Sequence, residues 1–80
     1  MKIIKTYYEK IKNENHQYSI LEDELSNRFK FYIQYKIDDK QVYPIVYGGN
    51  RHSKPKNINE CRRVYENLEK IDKKLYDRFK

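Results

Sequence analysis

Basic side chains concentrate between the two glycines of this chain and the start of a C-terminal helical pattern. Residues 51–63, here called the basic junction, hold five lysines and arginines and one acidic residue. Such a cluster can bind a phosphodiester backbone, because each neutralised phosphate releases counterions. The alternative is an ordinary solvated loop. The residues predicted to bind an anion are Arg51, His52, Lys54, Lys56, Arg62 and Arg63.

The glycines beside this segment do not form a nucleotide-binding loop. The stretch "GGNRHSKPK" lacks the terminal Gly-Lys-Ser/Thr of a P-loop. Pro55 also removes an amide donor where a phosphate would need one. Because the two glycines are adjacent, a dinucleotide fingerprint is excluded as well. A strand-to-helix loop with basic side chains is the interpretation that remains.

A second group of candidate residues alternates along a central strand pattern, where Lys30, Tyr32, Gln34 and Lys36 share one face. Basic residues on either side of an aromatic ring are typical of sheets that stack single-stranded bases. The alternative is a solvent-exposed face, or a second core face covered by an N-terminal helix. Lys30, Tyr32 and Lys36 are therefore included among the candidate binding residues.

The chain offers little support for catalysis, a metal site or a cofactor. Its two histidines, His16 and His52, fall in predicted surface loops. Cys61 falls on the apolar face of a predicted helix, where it is expected to be a buried small hydrophobe. The acidic run of residues 22–24 lacks partner ligands and indicates a solvated run or a contact for a basic partner. We expect no enzyme, no metal, no cofactor and no small-molecule substrate.

The strongest local signal is the strand "RFKFYIQYKI", whose apolar face carries Phe29, Phe31, Ile33, Tyr35 and Ile37. The residues "DDK" predict a tight connection, and "QVYPIVY" predicts the returning strand. Because proline cannot donate to a ladder, Pro44 predicts an edge strand or a bulge.

Helical spacing predicts two further elements. Ile4, Tyr7, Tyr8 and Ile11 indicate a short first helix over residues 3–13. Residues 17–25 fit a strand or a helix, with the strand favoured. Asn57 and Glu60 resemble a capping box at the start of one amphipathic helix of about six turns, which continues to Phe79. The predicted fold class is α+β in the order α-β-β-β-α, with a three-stranded antiparallel sheet, a long C-terminal helix across it and a short N-terminal helix.

Composition indicates one small folded domain over residues 1–80. Residues 1–40 carry a net charge of +1 and residues 41–80 a net charge of +5, which gives the total of +6. This asymmetry favours nucleic acid as partner, then a nucleoprotein complex or an acidic protein, and a membrane surface last. A single cysteine and the lack of an apolar run of signal-peptide length favour the reducing cytoplasm.

Three resemblances accompany these patterns. The stretch "NRFKFYIQYKIDDKQVYPIVYGG" followed by "NINECRRVYENL" resembles the arm-type DNA-binding domains of integrases, which implies a sheet that enters the major groove. The α-β-β-β-α order and "SKPKNINEC" are similar to a double-stranded-RNA-binding domain. The small size, the charged surface and the absence of catalytic motifs resemble anti-defence proteins of phages and mobile elements, including anti-CRISPR proteins.

The expected function is that of a non-enzymatic phage or mobile-element inhibitor. It would mask a nucleic-acid-binding surface of a host nucleoprotein machine, or the nucleic acid held there, through the basic loop and helix start. The alternative is a small DNA- or RNA-binding module that contacts the phosphate backbone directly. A third hypothesis is a scaffold whose edge strand near Pro44 pairs between chains. The oligomeric state stays open.

Overall fold

The chain is mainly β, with a four-stranded antiparallel sheet followed by two short helices. The computed structural model describes residues 2–22, 30–49, 52–68, 70–71 and 73–78. The elements in chain order are β1 (Lys2–Ile11), β2 (Glu14–Glu22), β3 (Tyr32–Ile37), β4 (Lys40–Tyr47), α1 (Ile58–Asn67) and α2 (Lys73–Arg78). The strands lie in sequential order in the sheet, so β1 and β4 are its edges. The predicted α-β-β-β-α fold class is therefore wrong.

The predicted N-terminal helix is wrong because residues 2–22 form a β-hairpin. Lys12 and Asn13 connect the two strands with φ values of 50° and 67°, the signature of a two-residue type I′ turn. As an edge strand, β1 is at most half-buried, so it needs no strict alternation of apolar and polar residues. Its β-forming residues were the overlooked signal. They are Ile3, Ile4, Thr6, Tyr7, Tyr8 and Ile11.

The strand favoured for residues 17–25 is confirmed as far as residue 22, and residues 23–25 lie outside the described residues. The second hairpin also follows the sequence pattern. Its turn consists of Asp38 and Asp39, with φ values of 49° and 65°. Phe31 and Ile33 are buried as predicted, whereas Phe29 lies outside the described residues.

Both expectations for Pro44 are confirmed. It lies on β4, an edge strand of the sheet. The pairing of β3 with β4 shifts between Ile33–Val46 and Tyr35–Val42, so that residues 43–45 bulge opposite Gln34. A bulge accommodates a residue that cannot donate to the ladder.

The core forms between one face of the sheet and α1. Tyr18 and Tyr35 on adjacent strands stack with ring centroids 4.4 Å apart, and the Tyr65 ring meets both edge-on at 5.9 and 5.3 Å. Each such aromatic pair contributes about 0.5–1.5 kcal/mol beyond its burial. The buried members of the cluster are Tyr18, Ile20, Phe31, Ile33, Val46, Cys61, Val64, Tyr65 and Leu68. The tyrosine-rich core expected from composition is present.

The helix start is confirmed, but the single long C-terminal helix is wrong. Asn57 is the N-cap of α1, and its side-chain oxygen accepts a hydrogen bond from the Glu60 amide at 2.9 Å. The helix ends at Asn67, and its C-cap residue Leu68 is extended, with φ of −87° and ψ of 149°. Beyond it, Lys70 forms an isolated antiparallel β-bridge with Val46. The Ile71 amide donates a hydrogen bond to the Ile45 carbonyl at 3.1 Å. Pairing with β4 satisfies backbone groups at that edge of the sheet, and it replaces the helical turn that periodicity alone predicted.

Candidate anion-binding groove

Within the basic junction, residues 52–57 form a loop that leads into α1, and together with the start of the helix they line a shallow groove of about 390 Å³. We call this depression the basic groove. It brings together four of the six predicted anion-binding residues of the junction, whereas Arg51 lies outside the described residues and Arg62 does not line it. The lining residues are His52, Ser53, Lys54, Pro55, Lys56, Glu60, Arg63 and Val64.

Contacts with the first hairpin hold the loop in place. Pro55 is buried, and its carbonyl accepts a hydrogen bond from the Tyr7 hydroxyl at 3.2 Å. Burial raises the pKa of Tyr7, which keeps this donor protonated. The Lys54 amine forms an ion pair with Glu22 at the end of β2. These two contacts connect the loop to both strands of the hairpin, one through the Pro55 carbonyl and one through the Lys54 side chain.

The groove cations differ in how far they are already neutralised. Lys54 is paired with Glu22, so its charge is largely satisfied within the protein. Lys56 and Arg63 are exposed and form no ion pair with any described residue. Glu60 is also in the groove, where its carboxylate accepts from the Lys56 amide at 2.7 Å. Among the described groove residues, the positive charge that remains for a ligand belongs to Lys56 and Arg63.

Arg62 points toward the sheet rather than into the groove. Its guanidinium forms an ion pair with Glu9 on β1 and donates a hydrogen bond to the Asn59 side chain at 3.2 Å. The hydrogen bond to Glu9 raises the pKa of Arg62 further. Consecutive helical residues point about 100° apart. The pair Arg62 and Arg63 is therefore divided between an internal contact and the groove.

The second group of candidate residues lies away from the basic groove. Tyr32 and Lys36 are on the face of the sheet opposite α1, and both are half-buried, as is Lys30. The Tyr32 ring lies against Tyr47, with centroids 5.2 Å apart and planes inclined by 37°. The N-terminal helix expected to cover this face does not exist. The Tyr32 ring therefore already contacts another aromatic ring. None of Lys30, Tyr32 and Lys36 lines the basic groove.

The two glycines serve the core rather than a phosphate. The Gly48 amide donates to the Phe31 carbonyl at 2.9 Å, and the Phe31 ring occupies the space that a Cβ of residue 48 would need. Gly49 has a φ of 52°, which favours glycine. The close approach of an aromatic ring to backbone explains the first glycine, and the left-handed turn explains the second.

The structure also shows where three other residues considered in the sequence lie. His16 lies in β2, half-buried, and its Nδ1 forms a hydrogen bond with the Tyr35 hydroxyl. Glu22, from the acidic run, contacts a basic partner within the same chain. Cys61 is buried as expected, and burial raises the pKa of its thiol to about 11, so it is a poor nucleophile.

Two ion pairs beside the groove had no sequence signal. Glu22 and Lys54 are 32 residues apart, and Glu9 and Arg62 are 53 residues apart. Neither separation matches a helical or strand period, so only the folded arrangement shows which cations are neutralised. The charge of the junction was visible in the sequence, but its partition between internal pairs and an exposed groove was not.

Two general features accompany the groove. In the part of the chain that the structure describes, no three His, Cys, Asp or Glu side chains come together in a way that could hold a metal ion. Neither helix there has the length and apolar character that a membrane crossing requires.

Comparisons of the chain with protein-family models, with curated proteins and with solved structures gave no match.

Proposed function

We propose that this chain is a non-enzymatic binding protein whose basic groove contacts the phosphate backbone of nucleic acid, either naked or held by a nucleoprotein complex. One observation carries the proposal. Two exposed cations, Lys56 and Arg63, line the same groove beside His52, and the groove loop contacts the first hairpin. Cations without an internal partner can release condensed counterions when they meet phosphates. Binding to the nucleic acid of a host complex would mask it, which is the inhibitory role expected of an anti-defence protein in the cytoplasm.

The groove limits how strong direct binding can be. With Lys54 and Arg62 engaged by glutamates, about two phosphates can be neutralised by the described groove residues. The logarithm of the binding constant should therefore fall with a slope of about −2 against the logarithm of salt concentration. A slope near −5, the value expected if all five basic residues of the junction met phosphates, would contradict the ion pairs described here.

The test is fluorescence anisotropy with labelled single- and double-stranded DNA and RNA at several salt concentrations. The double variant Lys56→Glu/Arg63→Glu should lose binding, because it places carboxylates in the groove and leaves the pairs with Glu9 and Glu22 intact. The matched control Lys40→Glu/Lys73→Glu changes the net charge equally at exposed positions outside the groove. It should retain most of the affinity.

Two results would overturn the proposal. Equal weakening of both double variants would show that binding follows net charge and not the groove. Absence of binding to every nucleic acid at low salt would show that the groove does not contact phosphates. An acidic protein surface would then be the partner to seek, by pull-down with wild type against the groove variant.

A further inference from the structure

The outer edge of β1 is an open strand edge with exposed apolar side chains. Among the described residues, all the exposed large hydrophobic side chains lie on this strand, with exposed fractions of 52% for Ile3, 39% for Ile4 and 72% for Tyr8. No other described strand pairs with β1 on that side. The opposite edge of the sheet differs, because residues 70–71 pair with β4 there. An unpaired strand edge is a template for the addition of another strand.

The turn determines which backbone groups of β1 point outward. In a type I′ turn the backbone groups of the residues before and after the central pair are hydrogen-bonded. The amide and carbonyl of Ile11 therefore point toward those of Glu14. Orientation alternates along an antiparallel pair. Tyr7 and Glu9 therefore direct their amides and carbonyls toward β2, with Tyr18 and His16 opposite them. Thr6, Tyr8 and Lys10 direct theirs to the open edge.

We propose that a second copy of this chain pairs with this edge in antiparallel orientation, which would join two four-stranded sheets into one of eight strands. The register that we infer is centred on Tyr7. It places Thr6 of one copy opposite Tyr8 of the other, so that outward-pointing residues meet, as antiparallel hydrogen bonding requires. The two sheets then share one continuous ladder across the two-fold axis.

Charge complementarity selects this register among those that the backbone allows. Centring on Tyr7 places Lys5 of each copy opposite Glu9 of the other, which gives two opposite-charge pairs. The Glu9 oxygen Oε2 contacts Arg62, and in this register the lysine would meet Oε1. Centring on Thr6 would instead place Lys2 opposite Lys10, and directly opposed like charges are destabilising. Centring on Tyr8 gives no opposite-charge pair between lysine and glutamate.

The edges of the sheet favour a closed dimer over a fibre. A β-bulge lies between Ile3 and Lys5, which ends the regular edge after a short run. Residues 70–71 meet the end of β4 at Ile45 and Val46, whereas β1 has no described partner on its outer side, so a two-fold pairing of β1 edges uses that side completely. Because the paired segment is short, we expect a dimer that forms at about 10–100 µM, in the range of small interfaces.

The first test uses the wild-type chain without substitution. Sedimentation equilibrium from about 5 µM to about 1 mM should show a monomer–dimer transition. Over the same range, amide hydrogen exchange at Thr6 and Tyr8 should slow, while the inward amides of Tyr7 and Glu9 are protected throughout. A chain that stays monomeric to about 1 mM would overturn the proposal. A dimer in which the outward amides of Thr6 and Tyr8 remain unprotected would also overturn it.

Substitutions test the edge and the register separately. Tyr8→Pro removes an outward amide donor without breaking a hydrogen bond to β2, so it should abolish dimerisation in a chain that keeps its circular dichroism spectrum. Lys5→Glu should raise the dimer dissociation constant about tenfold, since two attractive pairs become repulsive. The control Lys40→Glu makes the same charge change in the second hairpin and should shift it little. A similar shift for both charge variants would overturn the register.

Discussion

Arg62 and Arg63 are neighbours in the sequence, but their side chains have different surroundings in the fold. Arg62 connects α1 to β1 through Glu9, whereas Arg63 is exposed in the basic groove. Removing the first should therefore affect stability and removing the second should affect binding. An exposed charged side chain that forms no ion pair within the protein contributes little to the free energy of unfolding.

We expect Arg62→Met to lower the free energy of unfolding by about 1 kcal/mol, since the pair is only partly shielded from water and loses a charge-assisted hydrogen bond. The matched control Arg63→Met should change it by less than about 0.5 kcal/mol. Urea denaturation of both variants, with Glu9→Gln added to complete a double-mutant cycle, measures the coupling. Equal effects of the two arginine variants would show that the pair with Glu9 does not stabilise the fold.

Cys61 gives a prediction about pH. Burial raises the pKa of its thiol from an ordinary value of 9.0 to about 11, so the folded state holds the proton more tightly than the unfolded state. The unfolded chain binds fewer protons in that interval, and stability must therefore fall as pH rises from 9.0 to about 11. Burial also raises the pKa of Tyr18, which extends the loss to higher pH.

The measurement is urea denaturation from about pH 8 to about pH 11 for wild type and Cys61→Ala. The variant should be less stable near neutrality, because it loses a buried sulfur, but its stability should decline less steeply between pH 9.0 and about 11. Parallel pH profiles for the two proteins would contradict the assigned role of the thiol. A thiol reagent should also react slowly with the folded wild-type chain.

At the scale of elements, the residue after β4 leaves no room for a side chain. The Phe31 ring lies against the Gly48 backbone, in the space where a β-carbon would lie. Gly48→Ala should therefore lower the free energy of unfolding by about 3 kcal/mol, at the upper end of the effect of overpacking a core. Thermal and urea unfolding measure it. The double variant with Phe31→Leu should recover part of the loss, and a well-tolerated single variant would contradict the described packing.

Elements with local signals were predictable from the sequence, and those determined by distant partners were not. The alternation through Ile33, the turn at Asp38 and the cap at Asn57 each lie within a few residues, and the structure has all three. β1 was mistaken for a helix because an edge strand needs no alternation of apolar and polar residues. The C-terminal helix was predicted too long because the competing partner, the β4 edge, is more than twenty residues away in the chain. The sequence showed the cluster of basic residues 51–63, but the groove and the internal ion pairs of Lys54 and Arg62 were visible only in the fold.

At the scale of the whole molecule, the symmetry of the inferred dimer determines how the basic grooves are arranged. Antiparallel pairing of two β1 edges places the two-fold axis perpendicular to the sheet, so both copies of α1 lie on the same face. The two grooves then face the same way, and one extended polyanion could contact both. Linked contacts raise the effective concentration of the second groove without any new contact.

This arrangement predicts a dependence on the length of the nucleic acid. At protein concentrations where the dimer forms, wild type should bind a long duplex about 10–100-fold more tightly per site than a short one that reaches a single groove. Tyr8→Pro carries no charge change and lies on the sheet face opposite the groove, so it should reduce affinity only for the long duplex. Competition titrations with both lengths at one salt concentration measure the ratio. If the variant binds both lengths as wild type does, the grooves act independently. If it weakens both equally, Tyr8 affects the groove itself and the two surfaces are not separate.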